Sequence, residues 1–456
     1  MTNIDLAIKN AECVLPSPNN PDHLEVAQVS VAIKDGRIVA IGSQGHNQVH
    51  EQMYEQAREV IDAKGLHLLP GVIDSQVHFR DPGLTHKEDI ETGTKGAALG
   101  GVTAIYEMPN TKPATTTAEL FAAKLQNANG RAWTDFSFFI GACPENIGAL
   151  ATLERHPNCC AVKVFMGSST GSLLIDDDNG LKQILSHGRR RVAVHAEYEA
   201  RLRERRALVE GKNDPRLHPF WRDEQTALLA TQRLIRLARE TKRRVHVLHV
   251  TTAEEMAFLK DKTDIATVET TPQHLTLAAP ECYERLGTLA QMNPPIRDER
   301  HREALWRALN DGIVTVLGSD HAPHTLEEKA KPYPETPSGM TGVQTILPIM
   351  LDHLSHGRLS LTRLVELLSR NPARIYGAIG KGEIRVGFDA DLTLVDLKKR
   401  RTITNSWIAS RSGWTPFDGL TVCGWPVATI IRGQVVMRDD ELQGSPIGRA
   451  VRFQID

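Results

Sequence analysis

The chain has 456 residues, of which 41% are hydrophobic, and its 54 Lys+Arg nearly balance 56 Asp+Glu for a formal net charge of -2. An apolar fraction this high with so little net charge excludes a disordered chain, and the balanced charge gives no electrostatic reason to expect a nucleic acid as partner. Uncharged apolar stretches such as residues 419–431 fall short of the roughly 18 residues needed to span a bilayer, so no membrane partner is expected.

Asp5 and Lys9 interrupt the first apolar stretch and speak against a secretory signal. Six scattered cysteines without a CxxC pair predict a reducing, cytoplasmic setting. The first 65 or so residues read as short strands and turns. Val29 to Lys34 alternates, and Asp35-Gly36 is a hairpin signal before Arg37 to Ile41. From about residue 67 strand-like apolar runs alternate with helix-like stretches. The runs are Leu68 to Phe79, Val102 to Met108, Phe136 to Ala142, Ala161 to Met166, Arg191 to His195, Val245 to Val250, Ile265 to Glu269 and Ile313 to Leu317. Glu224 to Thr241 and Arg300 to Asn310 have helical spacing. Eight such units predict an α/β fold, a (β/α)₈ TIM barrel over residues 67–378. A doubly wound sheet would usually carry a glycine-rich loop after its first strand, and residues 74–83 are not one. Strands return at Asp391 to Asp396 and at Val427 to Val436, the latter broken by Arg432-Gly433. Residues 1–66 and 379–456 are therefore expected to form one small β-sandwich-like domain from both ends of the chain.

The polar residues of the middle segment fall at the C-terminal ends of the strands, where a barrel builds its active site. Gln76, His78 and Arg80 follow strand 1 and Asn110 follows strand 2. Lys163 lies in strand 4, His195 ends strand 5, His249 ends strand 6, and Asp320, His321 and His324 follow strand 8. A single histidine at a strand end is more often structural than functional, but the set at one rim is hard to explain by packing. Imidazoles and carboxylates suit zinc and similar divalent ions, which lower the pKa of bound water to about 7. Lys163 is odd in such a set, because an ammonium repels cations. Carboxylated by carbon dioxide on its nitrogen, it would carry a carboxylate able to bridge two metals.

Gly71 to Gly83, Glu107-Met-Pro-Asn-Thr111, Val162-Lys-Val-Phe165, Val194-His-Ala-Glu197, His249-Val-Thr-Thr252, Asn293-Pro-Pro-Ile-Arg297 and Gly318-Ser-Asp-His-Ala-Pro-His-Thr325 resemble the amidohydrolase superfamily. Within it they resemble the class I dihydroorotases and their hydantoinase and allantoinase relatives. The resemblance runs from about residue 5 to residue 435. It implies reversible ring closure of N-carbamoyl-L-aspartate to dihydroorotate in pyrimidine synthesis, on one or two divalent metals, zinc by preference. It implies N6-carboxylated Lys163 as the bridging ligand, His195 and His249 on the β metal, and His78 and Asp320 on the α metal. Asp320 would also shuttle the proton. Arg80, Asn110 and His324 would bind the substrate carboxylate, Asn293 would contact the ring, and Gly339 would offer backbone contacts. A homo-oligomer, dimer or tetramer, and an association with aspartate transcarbamoylase are further implications.

The departure from the family pattern is Gln76-Val77-His78 where His-x-His is usual. A glutamine offers only an amide oxygen, a weak ligand for zinc, so Gln76 leaves open a weakly filled α site, a mononuclear β site or an inactive scaffold subunit. Allantoinase, hydantoinase and dihydropyrimidinase activities are the alternative reactions, and the last two act on neutral rings with less need of Arg80. The segment Thr325 to Ser338 could equally cover the site or be an ordinary loop. Cys159 and Cys160 read as buried thiols and Arg201 to Arg206 as a solvated helix face. His274 is left outside the ligand set.

Overall fold

In the computed structural model, residues 4–42, 54–167 and 173–454 are described. The expected terminal domain at 1–3, 43–53 and 455–456, and barrel residues 168–172, lie outside them.

The hairpin at Asp35-Gly36 forms as its sequence demands. Both residues have positive φ, 50° and 76°, and join Leu24–Lys34 to Arg37–Gly42. Two left-handed residues give a turn whose twist matches that of the strands it joins. Arg432-Gly433 repeats the device, at φ 45° and 72°, between Thr421–Ile431 and Gln434–Arg438. The terminal strands form one nine-stranded sheet, in which Leu6–Pro16 from the start of the chain and Leu392–Thr402 from its end both pair with His67–Pro70. His67–Pro70 thus belongs to the terminal sheet, and the barrel's first strand begins after Gly71. A Cβ at Gly71 would lie 2.3 Å from Thr103 Oγ1, so only glycine lets the chain pass between the two sheets.

The second sheet has eight parallel strands: Val72–Val77, Val102–Glu107, Asp135–Gly141, Cys159–Phe165, Val192–His195, Val245–Val247, Ala266–Thr270 and Val316–Leu317. Their near-continuous burial is what a sheet covered on both faces requires. The helix Glu224–Thr241 starts where Asp223 accepts the Thr226 N–H at 2.9 Å and packs its apolar stripe on the strands. A bridge between Val77 and His321 brings the strand-8 end back to strand 1, nearly closing the barrel. Buried Lys381 seams the barrel to the terminal sheet. Its ammonium reaches Asp135 on strand 3 at 2.6 Å and also pairs with Asp391 beside the terminal strands. No helix among the described residues is long and apolar enough to cross a membrane.

Candidate active site

Closure of the barrel places Gln76 and His78 against Asp320, more than 240 residues away in sequence. The His78 N–H donates to the His321 carbonyl at 2.7 Å, holding the strand-8 loop over the strand-1 end. Arg80, His249 and Asp320 all have left-handed backbone, at φ 65°, 35° and 45°. For a residue with a Cβ this costs about 1–2 kcal/mol. Three such residues at one rim mark where the fold accepts strain to aim side chains.

The imidazoles and Asp320 form two pairs. In the first, His78 Nδ1 meets Asn110 Oδ1 at 2.6 Å and Nε2 meets Asp320 Oδ1 at 3.2 Å. With its proton on Nδ1, neutral His78 turns a lone pair toward a carboxylate oxygen, a contact that needs a cation or a proton between them. In the second, His195 Nδ1 and His249 Nε2 lie 3.0 Å apart. His195 Nε2 donates to Glu197 at 2.8 Å, which leaves the Nδ1 lone pair facing His249. Burial pushes His78 and His195 below the ordinary histidine range, and His249 well below it, so all three favour the neutral, ligating form.

Lys163 is electrostatically close to both pairs. Its charge adds to the lowering at His78, His195 and His249, and Asp320 pulls in turn on Lys163. It is 1% exposed, its Nζ lies 4.5 Å over the Phe165 ring, and no carboxylate lies within 4.0 Å among the described residues. Burial lowers its pKa to about 7. A neutral amine is the form that adds carbon dioxide, so the site favours the species that carboxylation requires. Among the described residues no three His, Cys, Asp and Glu side chains gather at one point to hold a metal. Two pairs with a lysine near both lack one shared anionic ligand, and a carboxylate on Lys163 would supply it. The buried His249 Nδ1 and Gln76 Oε1 have no partner among the described residues. The residues present therefore fit a divalent metal centre.

Beside the pairs lies a cationic wall. Arg80 is 8% exposed, its Nη2 is 3.2 Å from His324 Nε2, and its Nε donates to the Pro323 carbonyl at 3.3 Å. Burial lowers it to about 10, so it stays charged. No carboxylate among the described residues lies within 4.0 Å of it. His324 stands between Arg80 and Lys87, whose Nζ is 3.1 Å from Nδ1, and burial with both cations keeps the imidazole neutral.

The remaining expected residues are more distant or already engaged. Asn293 Oδ1 meets His218 Nε2 at 3.0 Å. The Gly339 N–H donates to the Gln291 carbonyl and its carbonyl accepts from Lys329, and a Cβ there would lie 3.1 Å from the His324 ring. Thr325 to Ser338 is tied down by a capping box at Thr325 and by buried Lys329, which donates to three carbonyls. His274 bridges Thr271 and the Pro294 carbonyl, a loop tie. Cys159 and Cys160 are buried, and burial pushes both thiols up.

Sequence reading missed the groups behind the rim. Glu197 receives His195 on one side and pairs with buried Arg222 on the other. Burial would raise Glu197, but Arg222 and His195 hold it well below the usual carboxylate range. Glu269, at the end of strand 7, accepts from Ser75 at 3.1 Å, and burial raises it to about 8. The only available signal was Glu197 two residues after an expected ligand histidine. Nothing local singled out Arg222 or Lys87.

Residues 67–436 match the amidohydrolase family. The chain is 34% identical to the dihydroorotase of Methanosarcina acetivorans, over 97% of this chain and 94% of that one. It is also 34% identical to the dihydroorotase of Methanothermobacter thermautotrophicus, over 94% and 95%. Among solved structures it resembles the L-hydantoinase (dihydropyrimidinase) of Arthrobacter aurescens, with TM-score 0.90 and 30% identity over 98% of this chain and all of that one. The dihydropyrimidinase of Brevibacillus agri gives TM-score 0.88 and 29% identity, over 98% of each chain.

Proposed function

The chain belongs to the amidohydrolase family, and from that premise we propose that it is a metal-dependent dihydroorotase, reversibly closing N-carbamoyl-L-aspartate to dihydroorotate in pyrimidine synthesis. The observation that carries the choice of substrate is Arg80, a buried guanidinium beside the metal-binding pairs with no carboxylate within 4.0 Å among the described residues. A buried unpaired charge is costly, and a ligand that brings a carboxylate removes the cost. Both proposed ligands carry one that takes no part in the ring closure. The relatives named dihydroorotase favour the same reading.

His195 and His249 would hold one divalent ion, zinc by the chemistry of the donors, and His78 with Asp320 a second, with carboxylated Lys163 common to both. The chemistry such ions supply is a water of lowered pKa and a polarised ring carbonyl. Arg80 would grip the substrate carboxylate in a fork of parallel N–H donors, with His324 beside it. Asn110 keeps the His78 proton on Nδ1, while Asn293 and the side-chain-free edge at Gly339 would shape the space for the ring. In hydrolysis, the water oxygen bonds to the ring carbonyl carbon as its proton passes to the Asp320 carboxylate. The ring C–N bond breaks, and Asp320 returns the proton to the departing nitrogen. Closure runs the same steps backwards.

Hydantoin and dihydropyrimidine rings carry no carboxylate, yet the solved structures the chain resembles bear those names. Purified, metal-loaded protein should therefore be assayed on dihydroorotate, dihydrouracil, hydantoin and allantoin. Turnover of dihydroorotate with little on the others is the expected result. Comparable kcat/KM on neutral rings would overturn the role of Arg80, and no turnover of any ring would favour a scaffold subunit.

A further inference from the structure

At the barrel face opposite the candidate active site, the N-terminal ends of strands 4, 5 and 6 surround a cavity of about 560 Å³ lined largely by arginine. Arg155 precedes strand 4, Arg189 to Arg191 lead into strand 5 and Arg244 leads into strand 6. These five guanidiniums have no carboxylate within 4.0 Å among the described residues, although arginines elsewhere in the chain are extensively paired. A sixth, Arg374, pairs with Glu383 and Asp22. The one carboxylate in the lining, Glu154, is already engaged. Its Oε2 accepts from buried Arg243 at 2.5 Å, and its Oε1 accepts the N–H groups of Arg189 and Arg190. Glu154 therefore shapes the loop and leaves the cavity's positive charge uncancelled.

A second observation concerns how the wall is held. Arg190 Nε donates to the Glu154 carbonyl at 2.5 Å and Arg191 Nη1 to the Val245 carbonyl at 3.0 Å. Two guanidiniums are thus fixed at the cavity by neutral carbonyls, which leave their charge uncompensated. Guanidiniums bind phosphate and carboxylate oxygens through paired N–H donors. The volume lies within the range of small-molecule sites, roughly 300–1,000 Å³, and its concavity suits a compact anion better than a protein surface. We propose that this cavity binds a small polyphosphate anion, a nucleoside triphosphate or inorganic triphosphate, at a site separate from the metal-binding rim.

The test is calorimetric titration of the full, metal-loaded chain with inorganic triphosphate and with ATP at low salt. Arg189→Ala, Arg244→Ala and the double variant serve as comparisons. Both residues are exposed and lie away from the rim, so thermal stability and ring hydrolysis should be unchanged. Saturable binding of one anion per chain is expected, weakened about tenfold by each substitution and diminished by added salt. Equal affinity for the two probes would assign recognition to the phosphate chain, and tighter ATP would add a nucleoside subsite. Both outcomes support the site. Absence of saturable binding, or equal binding by the double variant, overturns it. Removal of the active-site metal by the phosphates would be the same in both proteins and so counts as the second outcome. Saturation only by an acidic polypeptide, with neither phosphate bound, would overturn it in favour of a protein contact.

Discussion

The side-chain amide of Gln76 donates to Oδ1 of Asp320 across 3.0 Å, the same oxygen that lies 3.2 Å from Nε2 of His78. Gln76 thus turns its donor, and not its acceptor, toward the acid, and its Oε1 remains buried without a partner among the described residues. The opposite orientation would press two oxygens together. A residue at the usual position of a histidine ligand is here a neutral brace for Asp320, the acid proposed to move the proton.

Gln76→His should convert that brace into a nitrogen donor. Metal content after dialysis should rise from about one toward about two ions per chain. An unchanged metal content would remove position 76 from the ligand set.

Glu197→Gln should loosen metal binding without touching a ligand atom. The carboxylate fixes the proton on His195 Nε2, and loss of such a partner typically costs 10–100-fold in metal affinity. Competition against a chelator measures this directly. Unaltered metal retention, alongside the fall in melting temperature expected from unpairing Arg222, would reduce Glu197 to a structural role.

Arg80→Lys should separate the substrates. A lysine keeps the charge but loses the paired donors, so kcat/KM on dihydroorotate should fall about 10²-fold, equivalent to roughly 3 kcal/mol. Any residual hydrolysis of dihydrouracil should change little. Equal losses on both rings would mean that Arg80 supports the site and does not bind the carboxylate.

Lys381→Met should destabilise the fold by about 3–5 kcal/mol, because it leaves Asp135 and Asp391 buried without their ammonium. Arg432 would still pair with Asp135, so the loss should be nearer the lower figure. Denaturant unfolding reads it. A change under about 1 kcal/mol would show that the seam carries little of the stability.

All eight barrel strands were legible because burial on both faces writes itself as local apolar runs. Seven of the eight expected runs overlap the observed strands with small end shifts. The first was too long, since Leu68 to Phe79 spans two strands in different sheets. Periodicity cannot see that boundary, because both strands are apolar. It lies at Gly71, where crowding by Thr103 from another strand decides the path. His249 also sits two residues past its strand, in the loop conformation that gives it positive φ.

The sequence by itself determined which residue types reach the rim, since strand ends and their side chains follow from spacing along the chain. It also exposed the missing histidine at Gln76. Only the tertiary structure decided which groups are paired and which are left wanting. Glu197 finds Arg222, Glu154 finds Arg243, Gln76 finds Asp320, and Arg80 and five of the six arginines of the opposite face have no carboxylate within 4.0 Å among the described residues. The reason is physical. A charge's state depends on burial and on neighbours a few ångströms away, and in a closed barrel those neighbours are set by strands far apart in sequence.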